Sequence, residues 1–238
     1  MARAEVLRDL VARGRQFDAA RLHSLADELN LPISDVFVIA GHPVPAHLLP
    51  PARDREVMRE FAYRVTYCDH ALLASLTDFV SNLVSTTPAP AAEMPVDAEV
   101  APPGTSGFPR ILSGLLRNRG FGLSELPFAG LSRSTINGML SGRWYSLRQL
   151  KAMAGPLGWT SEDLTAVAGE PLGAYNAGSV LCRHVGKVYV AAIPLTTAQL
   201  IQAAVEADRL SGREDRGAWQ PWAENLCPDE PSPGTDLQ

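Results

Sequence analysis

"LSRSTINGMLSGRWYSLRQLKAMAGPLG", residues 131–158, is the stretch whose reading decides the fold. Ser132 stands where an N-cap belongs and Gly142 where a helix ends, which predicts a helix over residues 132–141. Within it Ile136, Met139 and Leu140 share the inward side, and Arg133, Ser134 and Asn137 are left pointing outward. The following helix repeats apolar residues at Leu147, Leu150, Ala154 and Leu157 and stops at Gly158. The first helix is built to show a polar face, the second to be buried.

Upstream, "FPRILSGLLRNRG" carries Ile111, Leu112, Leu115 and Leu116 on one face, with Arg117 and Arg119 near an end marked by Gly120. A short helix over about 124–129 and a turn at Gly130 lead into the outward-facing helix. Downstream, "TSEDLTAVAG" supplies one more short helix. Together, Gly130-Leu131-Ser132-Arg133-Ser134-Thr135-Ile136, Ser141-Gly142-Arg143 and the Leu147, Leu150, Ala154-x-x-Leu157-Gly158 pattern resemble the lambda-repressor-like helix-turn-helix family, Xre or Cro type. The resemblance covers about residues 108–170. It implies a five-helix domain whose third helix lies in the major groove of duplex DNA. Carried over, Arg133 is the principal base reader, with Ser134 and Asn137 as secondary readers. Arg117, Arg119, Ser132 and Arg143 are then phosphate contacts that set orientation without reading sequence.

The rest of the chain is related to this segment. Shifted by 128 residues, "RLHSLADELNLPISDVFVIAGHPV" from Arg21 lies over "QLKAMAGPLGWTSEDLTAVAGEPL" from Gln149. The shift pairs Leu22 with Leu150, Leu29 with Leu157, Asp35 with Asp163, and Gly14–Arg15 with Gly142–Arg143. Past the matched segment, "EVMREFAYRV" places Val57, Met58, Phe61, Ala62 and Val65 on one face, and Asp69 and Thr197 fall in register as candidate caps. Each copy is expected to end in a helical hairpin, over 54–84 and 178–210. Residues 108–128 map to positions before Met1, so the first copy lacks the opening helices and its residues 1–15 read as a remnant that contacts no bases. Period-two patterning is missing throughout, and the expected class is all-α: a tandem degenerate repeat with one complete helix-turn-helix domain.

This gives a front-truncated unit over 1–84 for packing or dimerisation, and a Pro/Ala-rich linker over 85–107. The helix-turn-helix domain over 108–170 follows, then a hairpin over 171–225 and a polar tail over 226–238. The chain carries a net charge of −5 in 238 residues, yet Phe108–Lys151 holds seven cationic residues against Glu125 alone. Concentrated positive charge of this kind is the electrostatic footprint of a phosphate-binding face. No apolar run approaches the roughly 20 residues of a membrane span. Three scattered cysteines fit a reducing compartment, and the expected location is the bacterial cytoplasm, at the nucleoid.

Other residues invite chemistry without assembling it. Cys68-Asp69-His70 and Cys182-Arg183-His184 are twin Cys-x-His pairs, but Cys68 aligns with Thr196 and Cys182 with Asp54, and the spacing fits no zinc motif. Asp27-Glu28 and Glu162-Asp163 read as solvated or capping groups at helix ends. Trp219 and Trp222 read as a staple for the C-terminal segment. With no phosphate-cradling glycine loop, nucleophile elbow or carboxylate pair beside a histidine, no enzyme, cofactor or metal is expected. The expected function is a sequence-specific DNA-binding transcription regulator acting as a homodimer. The alternative is a protein–protein adaptor or anti-regulator on a degenerate scaffold, favoured by the acidic total and by Pro127 in the second helix.

Overall fold

A computed structural model describes residues 3–86, 107–121, 131–143, 145–170 and 180–213. Among them are eleven α-helices and no strand. The first half holds α1 (Arg3–Arg13), α2 (Ala19–Leu29), α3 (Ile33–Ala40), α4 (Arg55–Val65) and α5 (His70–Thr86). The second half holds α6 (Phe108–Asn118), α7 (Arg133–Leu140), α8 (Leu147–Leu157), α9 (Ser161–Ala168), α10 (Val180–Ala191) and α11 (Thr197–Ser211). The all-α class is the observed one. No described helix is long and apolar enough to cross a membrane.

Local chemistry explains most helix ends. Asp18 caps α2 by accepting from the Arg21 amide, and Asn30 ends it in the left-handed region. Ser146 caps α8 in a reciprocal box with Gln149, and Gly158 closes it at φ 70°. Between these stops, Leu22, Leu25, Ala26 and Leu29 are buried in α2, and Leu150, Met153, Ala154 and Leu157 in α8. Shifted by 128 residues, α2 falls on α8 and α3 on α9, end for end. The predicted cap at Asp69 is present, its carboxylate accepting from the Leu72 amide. Thr197 is not the cap of α11. Thr196 fills that role in a box with Gln199, whereas the Thr197 hydroxyl accepts from the Asp54 amide across the halves.

The two hairpins are exchanged between the halves. Helix α4 packs along α11 and α5 along α10, so each helix of one hairpin finds its main partner in the other. Tyr189 of α10 lies edge-on to Phe61 and donates its hydroxyl proton to the Ala62 carbonyl at 2.9 Å. Arg64 of α4 pairs with Asp208 of α11, and Gln199 donates to the Leu83 carbonyl at 2.8 Å. Arg53 reaches across to the carbonyls of Ala192, Ile193 and Leu195 at the end of α10. Helices α8 and α10 cross closely, because a Cβ on Gly186 would lie 2.1 Å from the Gly155 oxygen. Helix α1 docks on α9, where Arg3 pairs with Asp163 at 2.8 Å, and it also packs on α3. One hydrophobic core runs through both halves. Residues 1–84 are therefore no separate body beside 108–170. Much of the hairpin surface is spent on packing within the chain.

Candidate nucleic-acid interface

Helix α7 is positioned by its apolar side. Ile136 and Met139 have no exposed surface, and Gly138 is also buried. Ser132 caps the helix, its hydroxyl accepting from the Thr135 amide at 3.2 Å and lying within hydrogen-bond distance of the Ser134 and Thr135 hydroxyls. The far end closes as the sequence predicts: Gly142 takes φ 70°, and the Arg143 amide donates back to the Gly138 carbonyl at 3.1 Å. This leaves Arg133, Ser134 and Asn137 exposed on one outward side, with Ser132 at its start and Arg143 beyond its end. Arg133 makes no ion pair or hydrogen bond with a described residue.

Helix α6 supports α7. A Cβ on Gly142 would sit 3.2 Å from the Pro109 ring, and the Phe108 ring packs against Tyr145 with centroids 4.9 Å apart. The loop after α7 is thus pinned to the start of α6. The short helix expected over 124–129, Pro127 within it, and Trp144 lie outside the described residues, as do Trp219 and Trp222.

Arg119 does not belong to this surface. Its side chain has no exposure: it donates from Nη1 and Nη2 to the two oxygens of Asp35 at 2.8 and 2.6 Å. Its remaining N–H groups go to the carbonyls of Leu157 and Leu115. All five donors are used inside the protein, so none is left for a phosphate. The expectation of a phosphate contact at Arg119 is corrected. Arg117, two residues earlier on α6, is half-buried and has interactions within the protein. Asp163 also departs from its reading as a solvated or capping carboxylate, being buried and paired with Arg3.

The twin Cys-x-His pairs behave unlike one another. Cys68 faces inward, its Sγ 3.8 Å from the Ala207 carbonyl oxygen, whereas His70 turns to the neighbouring helix, its ring 4.0 Å from that of His184. The Cys182 side chain lies outside the described residues. Among the described residues, no three His, Cys, Asp or Glu side chains converge on one point as metal ligands would.

Sequence reasoning missed a further basic pair. Arg15 and Arg110 approach each other over Gly41 at the end of α3, one from each half of the chain. Arg110 sits at the α6 end that holds the post-α7 loop. The signal was present in the register that pairs Arg15 with Arg143, but nothing in the sequence places Arg15 beside α6. The chain matches no family model, and no curated protein or solved structure is significantly similar to it.

Proposed function

We propose that this protein binds duplex DNA sequence-specifically and regulates transcription, with α7 as its reading helix. The observation that carries this reading is the outward side of α7. A capped helix presents Arg133, Ser134 and Asn137 unshielded, with Arg143 just past its end. Helix N-terminal turns of this kind enter the major groove, where a guanidinium bonds bidentately to guanine and an amide to adenine. Arg133 reads bases, Ser134 and Asn137 assist, and Ser132 and Arg143 hold phosphates. The resemblance to the Xre-type family adds the expectation of a homodimer on half-sites about one helical turn apart. Ile201 and Val205, one turn apart and exposed on α11, are the surface we assign to the second copy. A bacterial cytoplasm, at the nucleoid, is the corresponding location.

The test is selection from a random duplex library at two salt concentrations, with Arg133→Ala alongside. Enrichment of a motif that weakens with salt and blurs at one position in the variant supports the reading. A folded protein that enriches nothing overturns it. The second reading, a protein-binding adaptor on the same scaffold, is favoured by the commitment of Arg119 to the core, which removes one expected phosphate contact from the surface. A partner whose capture survives Arg133→Ala, with no selected motif, would establish it.

A further inference from the structure

We propose that Arg15 and Arg110 form a phosphate-binding clamp at the seam between the two halves of the chain, with one guanidinium contributed by each. The evidence begins with Gly41, which ends α3 at φ 78°. A Cβ built there would lie 3.1 Å from Arg15 Nε and 3.3 Å from Arg110 Nη2, so the two cationic groups flank the same point. Neither makes an ion pair or hydrogen bond with a described residue. Elsewhere in this protein, arginines brought together with another segment have acceptors: Asp163 for Arg3, Asp208 for Arg64, Asp35 for Arg119, carbonyls for Arg53. Among the described residues, Arg15 and Arg110 have only each other.

Two adjacent guanidinium groups repel unless an anion lies between them. Partial burial, and then the neighbouring charge of Arg15, hold the Arg110 pKa below the usual arginine value. The local frame tolerates this without neutralising it. The carbonyl end of α3 carries partial negative charge and favours nearby cations. His42, beside Gly41, donates through Nε2 to the Gly14 carbonyl at 3.1 Å and so fixes the α3 end to the segment bearing Arg15. Gly14 itself abuts Ala40 so closely that a Cβ would fall 2.4 Å from the Ala40 Cα. The segments bearing the two arginines pack closely, while Arg15 is exposed and Arg110 half-buried, so both heads can be reached by an oxyanion from solvent.

A phosphate group is the matching chemistry, either a phosphodiester of a nucleic-acid backbone or a free phosphate-bearing ligand. This inference goes beyond the DNA-reading proposal, because the clamp stands on the arginine pair rather than on α7. The first half of the chain would then supply an anion contact, where its residues 1–15 read in the sequence as a remnant. Arg110 stands next to Pro109, against which the post-α7 loop packs, so a backbone held by Arg143 passes the same end of α6.

The experiment compares wild type, Arg15→Gln, Arg110→Gln and the Lys variants at both positions. Each is checked by circular dichroism and melted in sodium phosphate and in sodium chloride of equal ionic strength. Wild type should melt higher in phosphate, both Gln variants should lose that increment, and the Lys variants should recover part of it. No increment in wild type, or an equal increment in the Gln variants, overturns the clamp. Arg15 is exposed, so Arg15→Gln keeps the test decisive should Arg110→Gln fail to fold. The source of the phosphate is read from binding of the selected duplex, or of random duplex if none is selected. For a backbone phosphodiester, each Gln variant lowers the slope of log affinity against log salt by about 0.9. An unchanged slope in the Gln variants, with the phosphate increment present in wild type and lost in those variants, assigns the clamp to a free phosphate-bearing ligand. Absence of duplex binding by every form, with the increment present in wild type and lost in the Gln variants, defeats the DNA reading and leaves the clamp standing.

Discussion

Arg119 and Asp35 form a bidentate ion pair with no solvent exposure on either side chain, joining the residue that ends α6 of the second half to α3 of the first. The carboxylate also accepts from Asn118 at 2.9 Å and from the Trp159 indole at 3.0 Å, so it has four donors around it. A pair this buried contributes less through its attraction than it costs when one member is lost. Asp35→Ala strands a guanidinium in the core and should destabilise the protein by about 3–5 kcal/mol. Adding Arg119→Met to that variant removes the stranded charge and leaves the Leu157 and Leu115 carbonyls without their donor. The double variant should be no less stable than Asp35→Ala. Urea denaturation of the three proteins checks this, and additive losses would show that the two residues do not act as a pair.

How much of this was legible in the sequence depends on the range of the interaction. The ends of α2 and α8 and the apolar face between them rest on residues within one or two turns, and local spacing carries that information. The outward side of α7 is legible for the same reason. Arg119 is not, because an arginine near a helix end reads as a solvated cation until its partner is known, and Asp35 lies 84 residues earlier. Asp163 is illegible for the same reason, its partner Arg3 standing 160 residues away. The hairpin exchange is also invisible locally. An amphipathic face on α4 states that something covers it, and only the tertiary arrangement shows that α11 does.

The crossing of α8 and α10 depends on Gly186 lacking a side chain. In an open helix, Gly→Ala stabilises by about 1 kcal/mol. Here the added carbon would meet the Gly155 oxygen at 2.1 Å and the Gly158 Cα at 2.5 Å, both backbone atoms that no rotamer change can move. Gly186→Ala should therefore destabilise by about 1–3 kcal/mol, as overpacking does. Gly169 offers the contrast. Nothing lies within 4 Å of its Cβ position, and only its φ of 77° opposes a side chain. Gly169→Ala should cost about 1 kcal/mol, and thermal melts that rank the two variants the other way would reject the close crossing.

Thr196 and Gln199 separate a local cap from a tie between helices. Thr196→Ala removes the acceptor for the Gln199 amide and should cost about 1 kcal/mol. Gln199→Ala removes more. Its side chain returns an acceptor to the Thr196 amide at 2.9 Å and donates to the Leu83 carbonyl of α5 at 2.8 Å. The Gln199 variant should be the less stable of the two in urea. Equal losses would mean that the bond to α5 adds nothing.

Cys68 supplies a pH dependence with a definite sign. Burial, and then the charges of Asp69 and Asp208, push its thiol up to about 12. In the unfolded chain the thiol ionises near its ordinary value of about 8.5. Between those two values the folded state holds the proton that the unfolded state releases, so this group's contribution to stability is present below the unfolded value and is lost as pH rises above it. Wild type should lose stability from about pH 8 to pH 10 more steeply than Cys68→Ala, other titrating groups being common to both. Parallel curves would show that Cys68 does not titrate in this way. The same burial predicts that iodoacetamide at about pH 8 leaves Cys68 unmodified in the native protein and alkylates it after denaturation, as read by peptide mass mapping. Rapid modification of Cys68 in the folded protein would contradict its placement against Ala207 in the core.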